Sequence, residues 1–199
     1  MKKYLVEFIG TFFLVFTIGI SGDVFAIAGV LMALIYMGGH ISGAHYNPAV
    51  TVGFMMCGAI RLYDAIRYWI AQFAGAILAA GLCLLLNENQ VNLVIADGLL
   101  PEAILLEIAF TFALMLVILN VAIAPAAKGN QYYGLAISSV VFAGIMAARP
   151  VSGAAFNPAV SLGFNIFNLQ AYGFDTCIHA LTALVGAGLG ALVYKYTNR

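Results

Sequence analysis

The fold is decided by one stretch of sequence that occurs twice, as SGAHYNPAVTVGF at residues 42–54 and as SGAAFNPAVSLGF at residues 152–164. Nine of the thirteen aligned positions are identical, at a constant offset of 110 residues. Asn followed by Pro is a helix start, because Asn is a strong N-cap and Pro has no N–H to leave unpaired. The sequence therefore predicts short helices at about 47–58 and 157–167. Each is shorter than the roughly 20 residues that cross a bilayer, and paired short helices in two halves indicate a transport site near mid-membrane.

The composition is that of an integral membrane protein. The chain of 199 residues is 64% hydrophobic and only 8% charged, whereas soluble domains carry about 25% charged residues. The net charge is zero and no basic patch is present, so we expect no nucleic-acid partner. The three cysteines lie in apolar segments and predict no disulfide framework, no metal site and no cofactor.

Six apolar segments are long enough to span a membrane, and a short helix follows the second and the fifth of them. Because three spans in each half is an odd number, the second half must be inverted relative to the first. The predicted fold is an all-α membrane protein with six transmembrane helices plus two half-helices in an inverted 3+3 repeat. One channel domain, 1–199, would contain repeats at about 1–86 and 101–199, joined by an outer loop at 87–100. The predicted spans are 4–21, 24–41, 65–86, 102–124, 131–148 and 174–195.

The basic residues predict the orientation. Lys and Arg concentrate in cytoplasmic loops, and this rule places both termini in the cytoplasm. We expect a multi-pass protein of the plasma (inner) membrane. Only Arg149 then falls outside. The basic residues that fall on the cytoplasmic side are Lys2, Lys3, Arg61, Arg67, Lys128, Lys195 and Arg199.

The stretch GHISGAHYNPAVT at residues 39–51, together with the second Asn-Pro-Ala, resembles the aquaporin (major intrinsic protein) family over the whole chain. The resemblance implies a passive channel for water and small uncharged solutes rather than an enzyme. It also implies a homotetramer in the lipid bilayer, with one pore per subunit.

The two Asn-Pro-Ala motifs are the predicted centre of the pore. The side-chain oxygen of each Asn can cap its own helix while the amide NH2 donates into the lumen. A water that accepts from both amides cannot relay a proton, and the positive ends of the half-helices oppose cations at the same point. The motif residues are Asn47, Pro48, Ala49, Asn157, Pro158 and Ala159.

Glu7 and Glu107 lie inside spans, where a charge costs at least ~2.5 kcal/mol. We expect them to accept hydrogen bonds from backbone N–H groups of the loops before the two Asn residues; a proton relay is the alternative. The resemblance implies that His45 braces the first loop and that His40 lines the cytoplasmic half of the pore. His179 receives no role from the sequence.

The outer constriction departs from the resembled family. Most members carry an Arg directly after the second Asn-Pro-Ala, and this chain has Val160. The other filter positions fall on Ile27, Ile145 and Ala154. Such a ring offers neither a donor nor a charge, so we expect a wider or more apolar opening and slower water flux. Arg149 either places its charge near the outer mouth or is a solvated loop end.

The sequence leaves other functions open. By resemblance, Ser161 and the lack of long outer-loop insertions favour water, whereas Val160 favours a pore mainly for neutral solutes or gases such as glycerol, ammonia and CO2. A remote alternative is an intramembrane serine protease using Ser21, within the sequence GISG at 19–22, and His179. An ion-coupled carrier is a third, although the predicted pore centre offers amides rather than titratable groups.

Overall fold

The computed structural model describes residues 1–86 and 92–198, and this part of the chain contains helices and no strands. Two 3-10 segments, Pro125–Ala127 and Ile166–Asn168, also occur. Six spans in the described residues are long and apolar enough to cross a membrane, which confirms the predicted fold class. The α-helices are α1 Lys2–Ser21, α2 Val24–Ser42, α3 Pro48–Met56, α4 Leu62–Leu86, α5 Leu100–Ala122, α6 Tyr133–Ser152, α7 Pro158–Asn165 and α8 Leu169–Thr197.

The helix ends follow from local chemistry. Asp23 caps α2, because its Oδ1 accepts from the N–H of Ala26 at 2.8 Å. Glycines in the left-handed conformation end α1, α2 and α6, where a residue with a Cβ would be strained. Helix α8 begins at Leu169 rather than near 174, because one 3-10 turn joins it directly to α7. Residues 87–91 of the predicted outer loop, and Arg199, lie outside the described residues.

The long helices pair closely within each half. Helix α1 packs on α4, and α5 packs on α8. A Cβ added at Gly75 would lie 2.5 Å from the carbonyl oxygen of Phe8, and one at Gly186 would lie 2.6 Å from that of Ile108. Both pairs therefore depend on a glycine at the crossing point, as small residues allow membrane helices to approach.

The two short helices sit between the halves. Helices α3 and α7 each contact α4 from the first half and α8 from the second, and they also contact each other. Helices α2 and α6 pack against each other, and they also pack against α1 and α5, respectively. The loops before Asn47 and Asn157 consequently lie at the centre of the bundle.

Candidate functional site

The loops before α3 and α7 have the same strained backbone. Ala44 and Tyr46 have φ angles of 51° and 48°, and Ala154 and Phe156 have φ angles of 58° and 49°. Non-glycine residues rarely adopt this left-handed region, which costs of order 1–2 kcal/mol per residue. In this backbone, successive N–H groups point to the same side of the loop. These buried N–H groups need a hydrogen-bond acceptor there.

A buried glutamate supplies that acceptor in each half. Glu7 accepts from the N–H of His45 at 3.0 Å and of Tyr46 at 2.7 Å. Glu107 accepts from the N–H of Ala155 at 2.9 Å and of Phe156 at 2.8 Å. Both glutamates are fully buried. These contacts are the ones expected of a brace, and neither carboxylate lines the cavity described below.

Serines at the ends of α2 and α6 complete each acceptor site. The hydroxyl of Ser42 donates to Glu7 at 2.7 Å, and that of Ser152 donates to Glu107 at 2.6 Å. Gln72 adds a fourth donor to Glu7 at 2.8 Å. Both serines belong to the repeated stretch, so the repeat itself carried a signal for them that the sequence analysis did not use.

Asn47 and Asn157 are bonded across the junction of the two half-helices. Their Oδ1 atoms accept from Ala49 N at 2.8 Å and Ala159 N at 2.9 Å, as N-caps. In addition, Asn47 Nδ2 donates to the carbonyl of Phe156 and Asn157 Nδ2 donates to that of Tyr46, both at 2.9 Å. The sequence did not predict these reciprocal bonds. An amide NH2 has two hydrogens, so one hydrogen of each Asn is left for a molecule in the cavity.

A cavity of about 730 Å³ runs past both Asn residues. Its wall is otherwise mainly aliphatic, contributed by α1, α2, α5 and α6. All four predicted filter residues line this cavity, and Ile27, Ile145 and Val160 are buried. None of these four side chains carries a hydrogen-bond donor or a charge.

Arg149 is exposed and does not line this cavity. Its Nη1 donates to the carbonyl oxygen of Gly22, in the turn between α1 and α2. Its charge therefore caps the C-terminus of α1, a favourable position for a cation. The guanidinium does not take the place of the missing filter Arg.

Four polar residues also line the cavity: His40, Lys128, Asn130 and Tyr133. His40 is exposed and lies near the end of α2, whereas Ile27 lies near its start. His45 also lines the cavity, but its ring is held in place: Nδ1 lies 3.0 Å from Thr51 Oγ1, and the ring packs on Phe54 at a centroid distance of 4.2 Å.

His179 is a buried structural residue that sequence reasoning missed. Its Nε2 lies 2.7 Å from the carbonyl of Ser152, and its Nδ1 lies 3.2 Å from Ser161 Oγ. Because a carbonyl only accepts, Nε2 carries the proton. In the first half Tyr68 donates to the carbonyl of Ser42 at 2.6 Å. Tyr68 precedes Gly75 by seven residues and His179 precedes Gly186 by seven, so the repeat would have revealed the match.

These contacts also bear on two sequence interpretations. Ser161, used as a marker of the permeant, is fully buried and binds His179 rather than lining the cavity. Ser21 ends α1 and accepts from the N–H of Asp23 at 3.2 Å. Since both ring nitrogens of His179 have other partners, no Ser21–His179 pair forms.

The fold and this site define a channel-type membrane protein with two half-helices meeting inside it. The family model described as "Major intrinsic protein" matches residues 1–194. Nodulin-26 of Glycine max is 35% identical, with 100% of this chain and 80% of that protein covered. Aquaporin NIP1-2 of Arabidopsis thaliana is 34% identical, with 100% and 76% covered. The X-ray structure of the aquaglyceroporin from Plasmodium falciparum superposes with a TM-score of 0.76 at 24% identity, covering 100% of this chain and 95% of that one, which supports the fold.

The chain belongs to the major intrinsic protein family. It is a multi-pass membrane channel for water or small solutes and not an enzyme, which excludes the protease alternative.

Proposed function

We propose that this protein is a passive channel for water and small uncharged solutes, with an aliphatic outer filter formed by Ile27, Ile145, Ala154 and Val160. The observation that carries the proposal is the composition of the cavity wall. Four side chains without donor or charge line the cavity, whereas Arg149 is bonded to Gly22 and does not line it.

An apolar ring changes what passes easily. A water molecule loses hydrogen bonds in such a ring and gains none, so the ring dewets readily. A less polar solute loses fewer hydrogen bonds on entering the ring. The same observation therefore favours a second candidate, a pore mainly for neutral solutes or gases with poor water flux.

Ion exclusion would rest on the centre of the pore. Asn47 and Asn157 line the cavity with one free amide hydrogen each, and the N-termini of α3 and α7 add positive potential there. Glu7 and Glu107 would act as braces for this arrangement rather than as proton relays, because neither reaches the cavity.

The assembly and placement belong to the same proposal. We expect a homotetramer with one pore per subunit, in the plasma (inner) membrane. The basic residues favour cytoplasmic termini, so that the end lined by His40 opens to the cytoplasm and the aliphatic ring faces outward.

The test is stopped-flow light scattering on proteoliposomes shrunk first with sucrose and then with glycerol. Slow shrinkage followed by clear re-swelling in glycerol is expected of the aliphatic filter. Fast shrinkage with no re-swelling would show a water-selective pore and would contradict the filter proposal. If neither rate exceeds that of empty liposomes, the proposal of a pore for water and these solutes fails, and flux of ammonia or CO2 becomes the test of the second candidate.

A further inference from the structure

Asn165, the last residue of α7, is fully buried and outside the cavity wall. Its side chain pairs with the backbone of Leu93: Oδ1 accepts from the Leu93 N–H at 3.0 Å, and Nδ2 donates to the Leu93 carbonyl at 2.9 Å. Nδ2 also donates to Thr176 Oγ1 at 3.0 Å. Both amide hydrogens are thus used by one buried side chain, which is a well-satisfied and therefore rigid arrangement.

Thr176 supports the same orientation of this amide that the Leu93 pair requires. Its hydroxyl donates to the carbonyl of Tyr172 at 2.8 Å, and it is therefore left to accept from Asn165. A reversed amide would turn its oxygen toward the Leu93 carbonyl and lose both the Leu93 pair and the bond to Thr176. The orientation of Asn165 is consequently fixed by Leu93 and, from α8, by Thr176.

The segment held by Asn165, residues 92–97, has no helix or strand and is called the strap below. Leu93 and Ile95 point inward and are each 8% exposed. The N–H of Ile95 donates to Asp175 Oδ2 at 3.2 Å, and that of Ala96 donates to the carbonyl of Val151 at 2.9 Å. The strap therefore joins the end of α6, the end of α7 and the start of α8.

The strap also lies against the loop that carries one filter residue. A Cβ added at Gly153 would be 3.4 Å from the backbone N of Val94, so the strap is in contact with Gly153, and Ala154 comes next. Val160 lies on α7, five residues before Asn165. Through the strap, Asn165 is thus linked to the backbone just before Ala154, and it lies itself on the helix that carries Val160.

We propose that Asn165 is a positioning residue for the outer filter: it clamps the strap onto α7 and so sets how far Ala154 and Val160 stand from Ile27 and Ile145. This inference rests on the proposed filter. An aliphatic ring has no hydrogen bonds between its own side chains, so its aperture depends on packing and on the backbone frame that positions these side chains.

The first half provides a matched control. Met55 occupies the position 110 residues before Asn165, at the end of α3. It is half-buried and does not line the cavity. A methionine cannot form the paired bonds that Asn165 makes, so a truncation at Met55 removes similar bulk without releasing a strap.

The experiment measures the ratio of glycerol to water permeability in proteoliposomes for the wild type, Asn165→Ala, Thr176→Val, Met55→Ala and Val160→Ala. The same open channels carry both fluxes, so the ratio, after the fluxes of empty liposomes are subtracted, does not change when a variant merely folds less well. We expect Asn165→Ala to raise the ratio by about threefold or more, because release of the strap lets Ala154 and Val160 move away from Ile27 and Ile145 and widens the ring; remote substitutions in packed networks change coupling by about this factor. Thr176→Val should raise it less, and Met55→Ala should leave it unchanged.

The outcomes separate the clamp from the filter. If Val160→Ala changes the ratio while Asn165→Ala and Thr176→Val do not, the proposed positioning role of Asn165 is wrong and the proposed filter is supported. If Val160→Ala also leaves the ratio unchanged, the proposed filter is wrong and the clamp fails with it. Should Asn165→Ala not reconstitute, Thr176→Val decides, because it removes the hydroxyl that helps to orient the Asn165 amide while keeping the bulk of the side chain.

Discussion

The loops before Asn47 and Asn157 have matching backbones, and each is held by a glutamate and a serine at corresponding positions. The residues around them differ. Glu7 receives Gln72 as an additional donor, whereas the matching position, three residues before Gly186, is Ala183. His45 sits in the first loop and contacts Thr51, but the second loop has Ala155 there, and His179 on α8 contacts Ser161 instead.

This comparison separates what the half-helix junction requires from what is interchangeable. The left-handed residues, the glutamate and the serine recur in both halves and fix the directions of the N–H groups. A histidine and a glutamine do not occupy corresponding positions in the two halves. The contacts that surround each glutamate can therefore come from different helices or loops. We therefore expect large, similar effects from the shared parts and smaller, unequal effects from the others.

The largest effect is expected for Glu7→Ala and Glu107→Ala. Each change leaves buried donors without an acceptor, three for Glu107 and four for Glu7. An unpaired buried donor costs about 1–3 kcal/mol, so both variants should lose most of their folded protein in detergent. The yield of monodisperse protein measures this. The control is Glu102→Ala, on an exposed residue in the first turn of α5, and wild-type yield for either glutamate variant would contradict the shared brace.

The next effect tests the symmetry of helix packing. In Gly75→Ala and Gly186→Ala the new Cβ meets a backbone carbonyl oxygen at 2.5 and 2.6 Å. Overpacking of this kind costs about 1–3 kcal/mol, and both variants should lower the melting temperature by similar amounts. Gly29→Ala is the control: a Cβ there meets nothing within 4 Å, and the change should stabilise α2 by about 0.5–1 kcal/mol. A large difference between the melting temperatures of Gly75→Ala and Gly186→Ala would contradict the equivalence of the two helix crossings.

A smaller and unequal effect is expected for Tyr68→Phe and His179→Phe. Tyr68→Phe removes one hydrogen bond, to the carbonyl of Ser42, and should cost about 1 kcal/mol. His179→Phe strands both the Ser152 carbonyl and the Ser161 hydroxyl, and should cost about 2 kcal/mol. Thermal unfolding in the same detergent compares them. Equal losses would mean that the Ser161 contact contributes nothing.

Much of the fold follows from the sequence because its determinants are local. Hydropathy and length located six spans, Asn-Pro located two short helices, and an odd number of spans per half implied the inversion. The bounds were less accurate where tertiary contacts decide. Helix α6 continues through Pro150 to Ser152, since the following loop needs the serine beside Glu107.

The contacts of the site could be predicted only for residues whose type and position allow a single role. A buried glutamate inside a span needs donors, and the repeat indicated which loops supply them. The reciprocal bonds from Asn47 and Asn157 to opposite carbonyls depend on how two loops meet in space, which no spacing in the sequence reports. Asn165 gave no signal, because an asparagine at the end of a short helix is commonplace until its partner, Leu93, is seen.

The central claim is that the aliphatic ring, and not the Asn pair, sets the preference of this channel between water and other neutral solutes, and Val160→Arg tests it most directly. The variant and the wild type are compared by stopped-flow shrinkage in sucrose and glycerol. Because an arginine adds a charge, hydrogen-bond donors and bulk at the ring, we expect the ratio of water to glycerol permeability to rise by about tenfold. An unchanged ratio, with both fluxes above those of empty liposomes, would contradict the claim and place selectivity elsewhere in the pore.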